Sequence, residues 1–331
     1  MRSRGELEDT PACGYWRHSR MRSQSNRFDV TSASPSSIVV ILNAGAGTLS
    51  SRPAIAAEVQ DLFHAAGREV DVITLRSGQN PTEAAHAATA RAAIVVAGGG
   101  DGTVSGVAAG VVDSPAALGV LPLGTLNHFA KDLHLPLDLP KAVGVIAAAH
   151  IGTVDVGTVN DRIFINNSSI GVYPDIVQER EALRERGYRK WPAMAVATLR
   201  VLRRYPGLTV KIQVDGQVRS WRTPFVVVGN NEYAIDGFQI GARATLDAGR
   251  LFVYVSPRSR ARDIPILLAK AMAGRASASR VFEITAAAQA TIDTRTARHI
   301  PVATDGEVVT LRTPLSYRSR PRALRVVVPR P

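Results

Sequence analysis

The chain of 331 residues has little of several things that particular functions require. It holds one cysteine, Cys13, so no disulfide can form within the chain and no cysteine cluster can bind a metal, which is typical of a reducing cytoplasm. Aromatic residues make up only 5% of the chain, which leaves few platforms for stacking nucleic-acid bases. No apolar run reaches the length of a membrane-spanning helix, and the basic N-terminus lacks the apolar segment of a signal peptide. We therefore expect a cytoplasmic protein that does not bind nucleic acid.

Several catalytic signatures are also missing. The chain has no G-x-x-x-x-G-K-[ST] loop of Walker-type ATPases and no H-E-x-x-H zinc motif. Ser105 does not lie in a G-x-S-x-G element, which excludes the nucleophile elbow of α/β-hydrolases. The segment from Gly45 to Ser50 approaches the G-x-G-x-x-G dinucleotide fingerprint, but serine stands at its last glycine.

What the chain does have is a basic charge balance and enough apolar residues for a large core. The formal net charge is +12, and 45% of the residues are hydrophobic. A basic balance suits anionic membrane surfaces and phosphorylated substrates. Residues 1–36 are rich in Arg and Ser and show no periodicity, so we predict a disordered basic leader there. The remaining length is enough for two domains of ordinary size.

The most informative stretch runs from Ile94 to Val107 and reads IVVAGGGDGTVSGV. An apolar run predicts a buried strand, three glycines follow, and the segment after Asp101 can begin a helix. Glycines let the backbone approach a phosphate closely, and a helix N-terminus favours an anion. Because Asp101 would repel phosphate oxygens unless a divalent cation lay between them, the stretch predicts a metal–nucleotide site. The alternative is a tight strand–helix turn that binds nothing.

Three further segments place polar residues where predicted strands end. Asn43 to Gly47 follows the strand Ile38–Leu42, Thr74 ends the strand Glu69–Leu75, and Thr125 and Asn127 follow Leu118–Leu121. Helical spacing between these strands gives a β-α-β-α-β-α order, which predicts a parallel sheet covered by helices. Ligands of such sheets bind at the carboxyl ends of the strands, so we expect these segments to converge. Simple helix capping remains an alternative for Thr125 and Asn127.

Together these segments resemble a known family. GGGDGT at 98–103, PLGTLN at 122–127 and NAGAG at 43–47 resemble the catalytic domain of bacterial diacylglycerol kinases and of related sphingosine and ceramide kinases. The resemblance extends over residues 37–328, with further landmarks at 228–230 and 304–307. It implies an α/β N-terminal domain over 37–160 with a parallel sheet, similar to NAD kinases and phosphofructokinases. A mostly antiparallel β-sandwich domain would follow over 161–331.

Independently of the resemblance, the residues of the second half also predict many strands. Asn160-Asp161 and Asp215-Gly216 each separate alternating apolar runs, which predicts two hairpins. Helical spacing predicts a long helix over Gln178–Tyr205 and a short one over Leu267–Ala273. The remaining alternating segments, up to Leu324–Val328, predict a mostly antiparallel domain.

The resemblance implies an ATP- and Mg²⁺-dependent lipid kinase that phosphorylates the hydroxyl of diacylglycerol or a related lipid in phospholipid biosynthesis. The candidates for binding ATP are Asn43, Gly45, Gly47, Thr74, Gly98, Gly99, Gly100, Asp101, Gly102, Thr103, Thr125 and Asn127. The resemblance points to Glu307 as the general base, with Asp305 nearby, and leaves Asp101 as an alternative base. On the residues alone, Asp305-Gly306-Glu307 is more simply a hairpin turn with a solvated acid.

Metal and partner predictions follow from the same comparison. Asp101 is the candidate ligand for Mg²⁺, and Asp247 is a weaker candidate for a structural Mg²⁺, because Ala248 occupies the position where the family carries its acid. Two basic clusters favour a lipid substrate at an anionic membrane surface and peripheral membrane association. They are Arg184, Arg186, Arg189, Lys190, Arg200, Arg203 and Arg204, and Arg318, Arg320, Arg322, Arg325 and Arg330. A homodimer is left open. The rival functions are a kinase of a soluble acceptor such as NAD and a non-enzymatic nucleotide- or lipid-binding regulator.

Overall fold

The computed structural model describes residues 31–32, 37–43, 53–188, 193, 196–201, 207–236, 239–256, 282–294 and 297–330. In the first half, strands and helices alternate. In chain order they are β1 (Thr31–Ser32), β2 (Ile38–Asn43), α1 (Ile55–Ala65), β3 (Val70–Leu75), α2 (Pro81–Thr89), β4 (Ile94–Gly99), α3 (Asp101–Val111), β5 (Ala117–Pro122), α4 (His128–Asp132), α5 (Leu139–Ala148) and β6 (His150–Val159).

The second half consists mainly of strands. In chain order its elements are β7 (Arg162–Phe164), β8 (Asn167–Gly171), α6 (Val172–Glu185), β9 (Leu208–Val214), β10 (Gln217–Thr223), β11 (Phe225–Asn230), β12 (Tyr233–Asp236), β13 (Gln239–Arg243), β14 (Leu251–Val255), β15 (Glu283–Ala287), β16 (Gln289–Thr294), β17 (His299–Thr304), β18 (Glu307–Arg312) and β19 (Leu315–Val327). No helix among the described residues is both long and apolar enough to cross a membrane.

The first half is built on four parallel strands in the order β5-β4-β2-β3. The strands are nearly continuous apolar runs because helices cover both faces of the sheet. Alternate residues of β2 enter two cores: Val39 and Ile41 pack with α2, α3 and α4, while Val40 and Leu42 pack with α1 and α5. The predicted α/β class is thereby confirmed.

The second half carries a six-stranded antiparallel sheet in the order β15-β14-β11-β8-β17-β18. Apolar residues of this sheet, such as Val226 and Val302, pack against Ile212, Ile292 and Tyr317 of a second layer. Both predicted hairpins are present, with Asn160 and Asp215 at positive φ in their turns. The predicted antiparallel, sandwich-like class of this half is confirmed.

The two halves share one sheet, which the sequence analysis did not predict. Strand β19 pairs in parallel with β5 and antiparallel with β6 and β16, and β9 and β10 extend the same sheet beyond β16. The pairing joins Val326 to Leu118, far apart in the sequence, so no local pattern could reveal it.

The long helix predicted over Gln178–Tyr205 was wrong at its start and in its continuity, and its predicted end at Tyr205 lies outside the described residues. Helix α6 begins at Val172 and ends at Glu185, and Gly187 follows with φ +88°. A positive φ suits glycine and ends a helix. Residues 196–201 are helical again, whereas the rest of the predicted span after Tyr188, apart from position 193, lies outside the described residues. The predicted helix Leu267–Ala273 and the predicted leader also lie outside them, except that Thr31–Ser32 pairs with β6.

Candidate active site

The predicted site segments that the structure describes meet at one edge of the parallel sheet. The strand register places Asn43 beside Leu75, Leu42 beside Gly98, and Gly99 beside Pro122. Thr74 lies one residue before the end of β3, and Thr125 and Asn127 follow β5 directly. Both Thr74 and Thr125 are exposed. Gly45 and Gly47 lie outside the described residues.

The turn between β4 and α3 presents backbone N–H groups to open space. Gly100 is the N-cap of α3 in an extended conformation, and no side chain caps the helix. A methyl group on Gly100 would meet no described atom within 4 Å. The first N–H groups of a helix have no partner within the helix, and the helix dipole favours an anion there. This end of α3 can therefore bind a phosphate group.

The turn after β5 packs directly onto this glycine turn. A Cβ on Gly124 would lie 2.8 Å from the Gly100 Cα atom and 3.1 Å from the Gly99 carbonyl oxygen, so only glycine fits there. Asn127, at φ +52°, accepts a hydrogen bond from the Gly124 N–H and donates to the Pro122 and Gly124 carbonyl oxygens. Its amide closes the turn and does not cap α4. Direct contact of Asn127 with a nucleotide stays a prediction.

Asp101 is the first residue of α3 and lies half-buried next to α4. Its Oδ1 atom accepts a hydrogen bond from the backbone N–H of His128 at 2.8 Å, and its Oδ2 atom has no hydrogen-bond partner within the described residues. No three His, Cys, Asp or Glu residues lie close enough together to hold a metal ion in the part of the chain that the structure describes. Mg²⁺ is commonly held by one or two carboxylates with phosphate oxygens and water. Asp101 therefore fits a cation that arrives with its phosphates.

Thr103 lies buried behind the same turn. Its hydroxyl oxygen accepts a hydrogen bond from the Asn43 amide at 3.2 Å, and a Cβ on Gly99 would lie 2.6 Å from that oxygen. The contact joins the end of β2 to the first turn of α3. In this structure Thr103 and Asn43 therefore hold the glycine turn in place, and their contact with ATP stays a prediction.

The Asp305 carboxylate is enclosed and accepts four hydrogen bonds. Ser105 of α3 donates its hydroxyl at 2.5 Å, and the backbone N–H groups of Ile165, Asn166 and Asn167 donate at 2.8–3.0 Å. Burial raises the pKa of Asp305, although each of the four hydrogen bonds acts in the opposite direction. With both oxygens occupied in this way, the carboxylate is suited to holding the turn. A catalytic role for Asp305 stays a prediction.

Asp305 and Gly306 form the turn between β17 and β18, with φ +49° and +91°, as the hairpin interpretation predicted. Glu307 follows the turn, and its side chain is 62% exposed. Its Oε1 atom lies 3.5 Å from the position a Cβ would take on Gly102, and its Oε2 atom lies 4.0 Å from the Arg162 guanidinium. The structure thus places the Glu307 carboxylate over the first turn of α3, beside Gly102, which directly follows Asp101 in the sequence.

This carboxylate also lines an open groove of about 530 Å³. One wall is the 177–185 face of α6, and the other consists of residues 306–309 of the β17–β18 hairpin. Apolar side chains such as Val177 and Val308 alternate with charged ones such as Arg180 and Glu307. A mixed lining of this kind suits an amphiphilic molecule.

A buried ionic pair near the site was missed by the sequence analysis. Arg243 of β13 and Asp132 of α4 have side chains that are 0% and 6% exposed, with 2.7 Å between Nη2 and Oδ2. In the sequence, Arg243 is one basic residue among many, and its partner lies 111 positions away. No local pattern marks such a pair.

The other predicted residues that the structure describes lie mostly near hydrogen bonds and ion pairs within the protein. Asp247 is half-buried, and the following N–H groups of Ala248 and Gly249 bind Asn231 and Asp155, so a metal at Asp247 stays a prediction. In the C-terminal basic cluster, Arg320 pairs with Asp113, and Arg325 and Arg330 contact Pro115 and His150. In the other cluster, Arg200 pairs with Glu179 at 2.8 Å. Arg189, Lys190, Arg203 and Arg204 lie outside the described residues, and the structure does not describe the Arg184 side chain.

Two family models match consecutive parts of the chain. The diacylglycerol kinase catalytic domain matches residues 37–159, and the YegS C-terminal NAD kinase beta sandwich-like domain matches residues 173–328. Residues 37–159 of this chain thus carry a diacylglycerol kinase catalytic domain. The first match contains the two glycine turns and Asp101, and the second contains Asp305 and Glu307.

Curated members of this family are similar over part of their length. A diacylglycerol kinase of Staphylococcus saprophyticus is 38% identical over 108 residues, which cover 32% of this chain and 35% of that protein. One from Staphylococcus carnosus is 33% identical over 147 residues, covering 44% and 48%. One from Staphylococcus haemolyticus is 29% identical over 204 residues, covering 61% of each chain. The matched region thus spans between a third and three fifths of these relatives.

Solved structures of the family share the fold. A crystal structure from Bacillus anthracis str. Sterne superposes with a TM-score of 0.71 at 21% identity, covering 91% of this chain and 98% of the other. A second structure from that organism, named a diacylglycerol kinase, has a TM-score of 0.62 at 19% identity and the same coverage. At this identity the likeness shows a shared fold and nothing more.

Proposed function

We propose that the protein is a lipid kinase that transfers the γ-phosphate of ATP to a lipid hydroxyl. The observation that carries the proposal is the position of Glu307. Its carboxylate lies over the uncapped first turn of α3, beside Gly102, the residue after Asp101, and it lines an amphiphilic groove. A base, an anion-binding helix end and an acceptor channel are the parts that phosphoryl transfer to an alcohol requires.

The chain's own groups would act mainly by positioning and charge stabilisation. The backbone N–H groups of residues 101–103 would bind phosphate oxygens at the N-terminus of α3. Asp101 would hold Mg²⁺ through Oδ2, while the His128 N–H keeps its other oxygen in place. When bound, Mg²⁺ would neutralise charge on the phosphate oxygens.

Glu307 would accept the proton of the acceptor hydroxyl. An alcohol has a high pKa, so its proton must leave as attack proceeds. The Glu307 side chain is 62% exposed and lines the groove, where a substrate can reach it. The carboxylate of Asp305, two residues earlier, is fixed by its four hydrogen bonds and would hold the hairpin that carries Glu307.

The groove supports a lipid as the acceptor. Its apolar residues would contact an acyl chain, and its charged residues would lie near a polar headgroup. Diacylglycerol or a related lipid at an anionic membrane surface is the proposed substrate, with peripheral membrane association of the enzyme. The division into domains at 37–160 and 161–331 is part of the same proposal.

The experiment is transfer of label from γ-labelled ATP in the presence of Mg²⁺ and vesicles of mixed lipids. We expect label in the organic phase with the wild-type protein. Loss of one group that stabilises developing charge typically lowers the rate by about 10²–10³, and we expect losses of this order in Asp101→Asn and Glu307→Gln. Glu69→Gln, which changes an exposed acid before the amino end of β3, is the matched control and should retain full activity.

Two results would contradict the proposal. If label enters NAD and no lipid, the protein is a kinase of a soluble acceptor. If ATP binds but is never turned over with lipid or NAD, a non-enzymatic regulator is the better interpretation. Full activity of Glu307→Gln would instead remove the base assignment and leave Asp101 as the candidate.

A further inference from the structure

The guanidinium group of Arg243 uses all five of its N–H donors within the protein. Nε and Nη2 donate to Asp132 Oδ2 at 2.9 and 2.7 Å, and Nη2 also donates to Asn166 Oδ1 at 3.0 Å. Nη1 donates to the carbonyl oxygens of Ile165 and Asn230 at 2.5 and 3.0 Å. A guanidinium presents five donors in a fixed plane, so this arrangement fixes the relative positions of its partners.

One set of these contacts leads to Asp101. Asp132 is the last residue of α4, and the first residue of that helix, His128, donates its backbone N–H to Asp101 Oδ1. Asp132 also accepts the backbone N–H of Arg243 at 3.1 Å. The helix is only five residues long, so a displacement of Asp132 moves His128 as well.

The other set leads to Glu307. Arg243 holds the Ile165 carbonyl oxygen and the Asn166 side chain, and the N–H groups of residues 165–167 bind the Asp305 carboxylate. The Asp305 N–H donates in turn to the Asn167 carbonyl oxygen. Glu307 follows two residues later at the end of the same turn.

We propose that Arg243 is a positioning residue. Through Asp132 and residues 165–167, it fixes the position of Asp101 relative to Glu307. The inference deepens the proposed function and rests on it. Arg243 touches neither group itself, and it lies between the rings of Phe129 and Tyr233, whose centroids are 5.9 and 5.6 Å from its Cζ atom. The pair thus lies in a closed environment, away from solvent.

The competing explanation is that the pair only contributes to stability. Replacing both members of a buried ion pair with apolar residues of similar volume is often neutral or stabilising, whereas removal of one member is costly. The double variant Arg243→Met/Asp132→Leu therefore separates the two explanations, because it can keep the fold while it releases α4 and the 165–167 loop. The control is Arg91→Gln/Asp71→Asn, which removes an exposed pair between the segment after α2 and the start of β3, outside both basic clusters.

The experiment measures kcat and KM for ATP, the melting temperature, and hydrogen exchange of the amides at His128 and 165–167. For a folded double variant we expect kcat to fall by about 10–10²-fold, with KM for ATP within about threefold of wild type and faster exchange at both sets of amides. The control should change none of these. A folded double variant with wild-type kcat overturns the inference.

Two further outcomes are decisive. If the double variant does not fold, Arg243→Lys replaces it, since lysine keeps the charge but not the planar fork, and wild-type kcat in that variant overturns the inference. If the wild-type protein transfers no phosphate, the proposed function fails. Hydrogen exchange then tests the positioning role alone: unchanged exchange at His128 and 165–167 in the folded variant overturns it, and faster exchange supports it.

Discussion

The contact between the two glycine turns gives the sharpest prediction for stability and nucleotide binding. In Gly124→Ala the new methyl group would lie 2.8 Å from the Gly100 Cα atom, about 0.6 Å short of the 3.4 Å at which ordinary contacts begin. The obstructing atoms are backbone, and Thr103 packs behind Gly99, so the turns must separate. Overpacking of this kind costs about 1–3 kcal/mol, and we expect a loss in this range in the free energy of unfolding.

The matched control is Gly144→Ala. Gly144 lies exposed within α5, and a Cβ there has no described heavy atom within 4 Å. Alanine is better than glycine inside a helix by about 0.5–1 kcal/mol, so this variant should be stabilised by that amount. Urea denaturation of both variants and calorimetric titration with Mg²⁺–ATP test the reasoning. Gly124→Ala should bind nucleotide more weakly, and Gly144→Ala should bind it as the wild type does.

The result that would refute the argument is a Gly124→Ala protein with the stability and nucleotide affinity of the wild type. It would mean that the turn after β5 moves away from Gly100 without cost, and that the two turns do not form one rigid surface. A loss of stability with unchanged affinity would refute only the link to nucleotide binding.

The remaining predictions concern single hydrogen bonds, titration and helix packing. Ser105→Ala removes one of four donors to Asp305. Because hydrogen bonds to charged groups contribute about 1.5–3 kcal/mol, urea denaturation should show a loss in this range, with Ser77→Ala in the exposed turn after β3 as the control. Burial raises the pKa of Asp175 above its ordinary value of 3.8, so the folded state binds this proton more tightly than the unfolded state does. The folded state therefore loses stability as the pH rises from 3.8 through the raised pKa. Asp175→Asn should therefore be more stable than wild type at pH 7 and equal to it below pH 3.8, and a difference that is the same at all pH values would contradict this assignment. Gly110→Ala places a methyl group 2.4 Å from the Thr82 carbonyl oxygen and should lower the melting temperature by separating α2 from α3.

Local sequence patterns predicted most strands and helices of the first half. Continuous apolar runs such as Ile94–Ala97 marked buried strands, and glycine and Asx residues marked the turns. The helix Leu139–Ala148 was not predicted, although Asp138 caps it and Pro140 lies in its first turn, which together form a standard start signal. The α6 boundary was misplaced because Val172 follows β8 without any intervening turn.

Long-range contacts could not be predicted in the same way. The register at the sheet edge followed from the α/β class, so the convergence of Asn43, Gly99 and Pro122 was predictable. The hydrogen bond between Ser105 and Asp305 joins residues 200 positions apart, and Asp305 looked like the solvated acid of a hairpin. Its inward orientation depends on the 165–167 loop, which only the tertiary structure brings to it.

The position of β19 in the sheet affects when the protein can complete its fold during synthesis. The strand lies between β5 and β16 in the shared sheet and also pairs with β6, so both halves of the chain need it to complete their hydrogen bonding. On a ribosome that adds about 5–20 residues per second, the edge of β5 waits roughly 10–40 s for Val327 after Pro122 has been made. During that time the nascent chain exposes an unpaired apolar strand edge, which is a hazard for aggregation. The shared sheet can therefore be completed only after this late strand has been made.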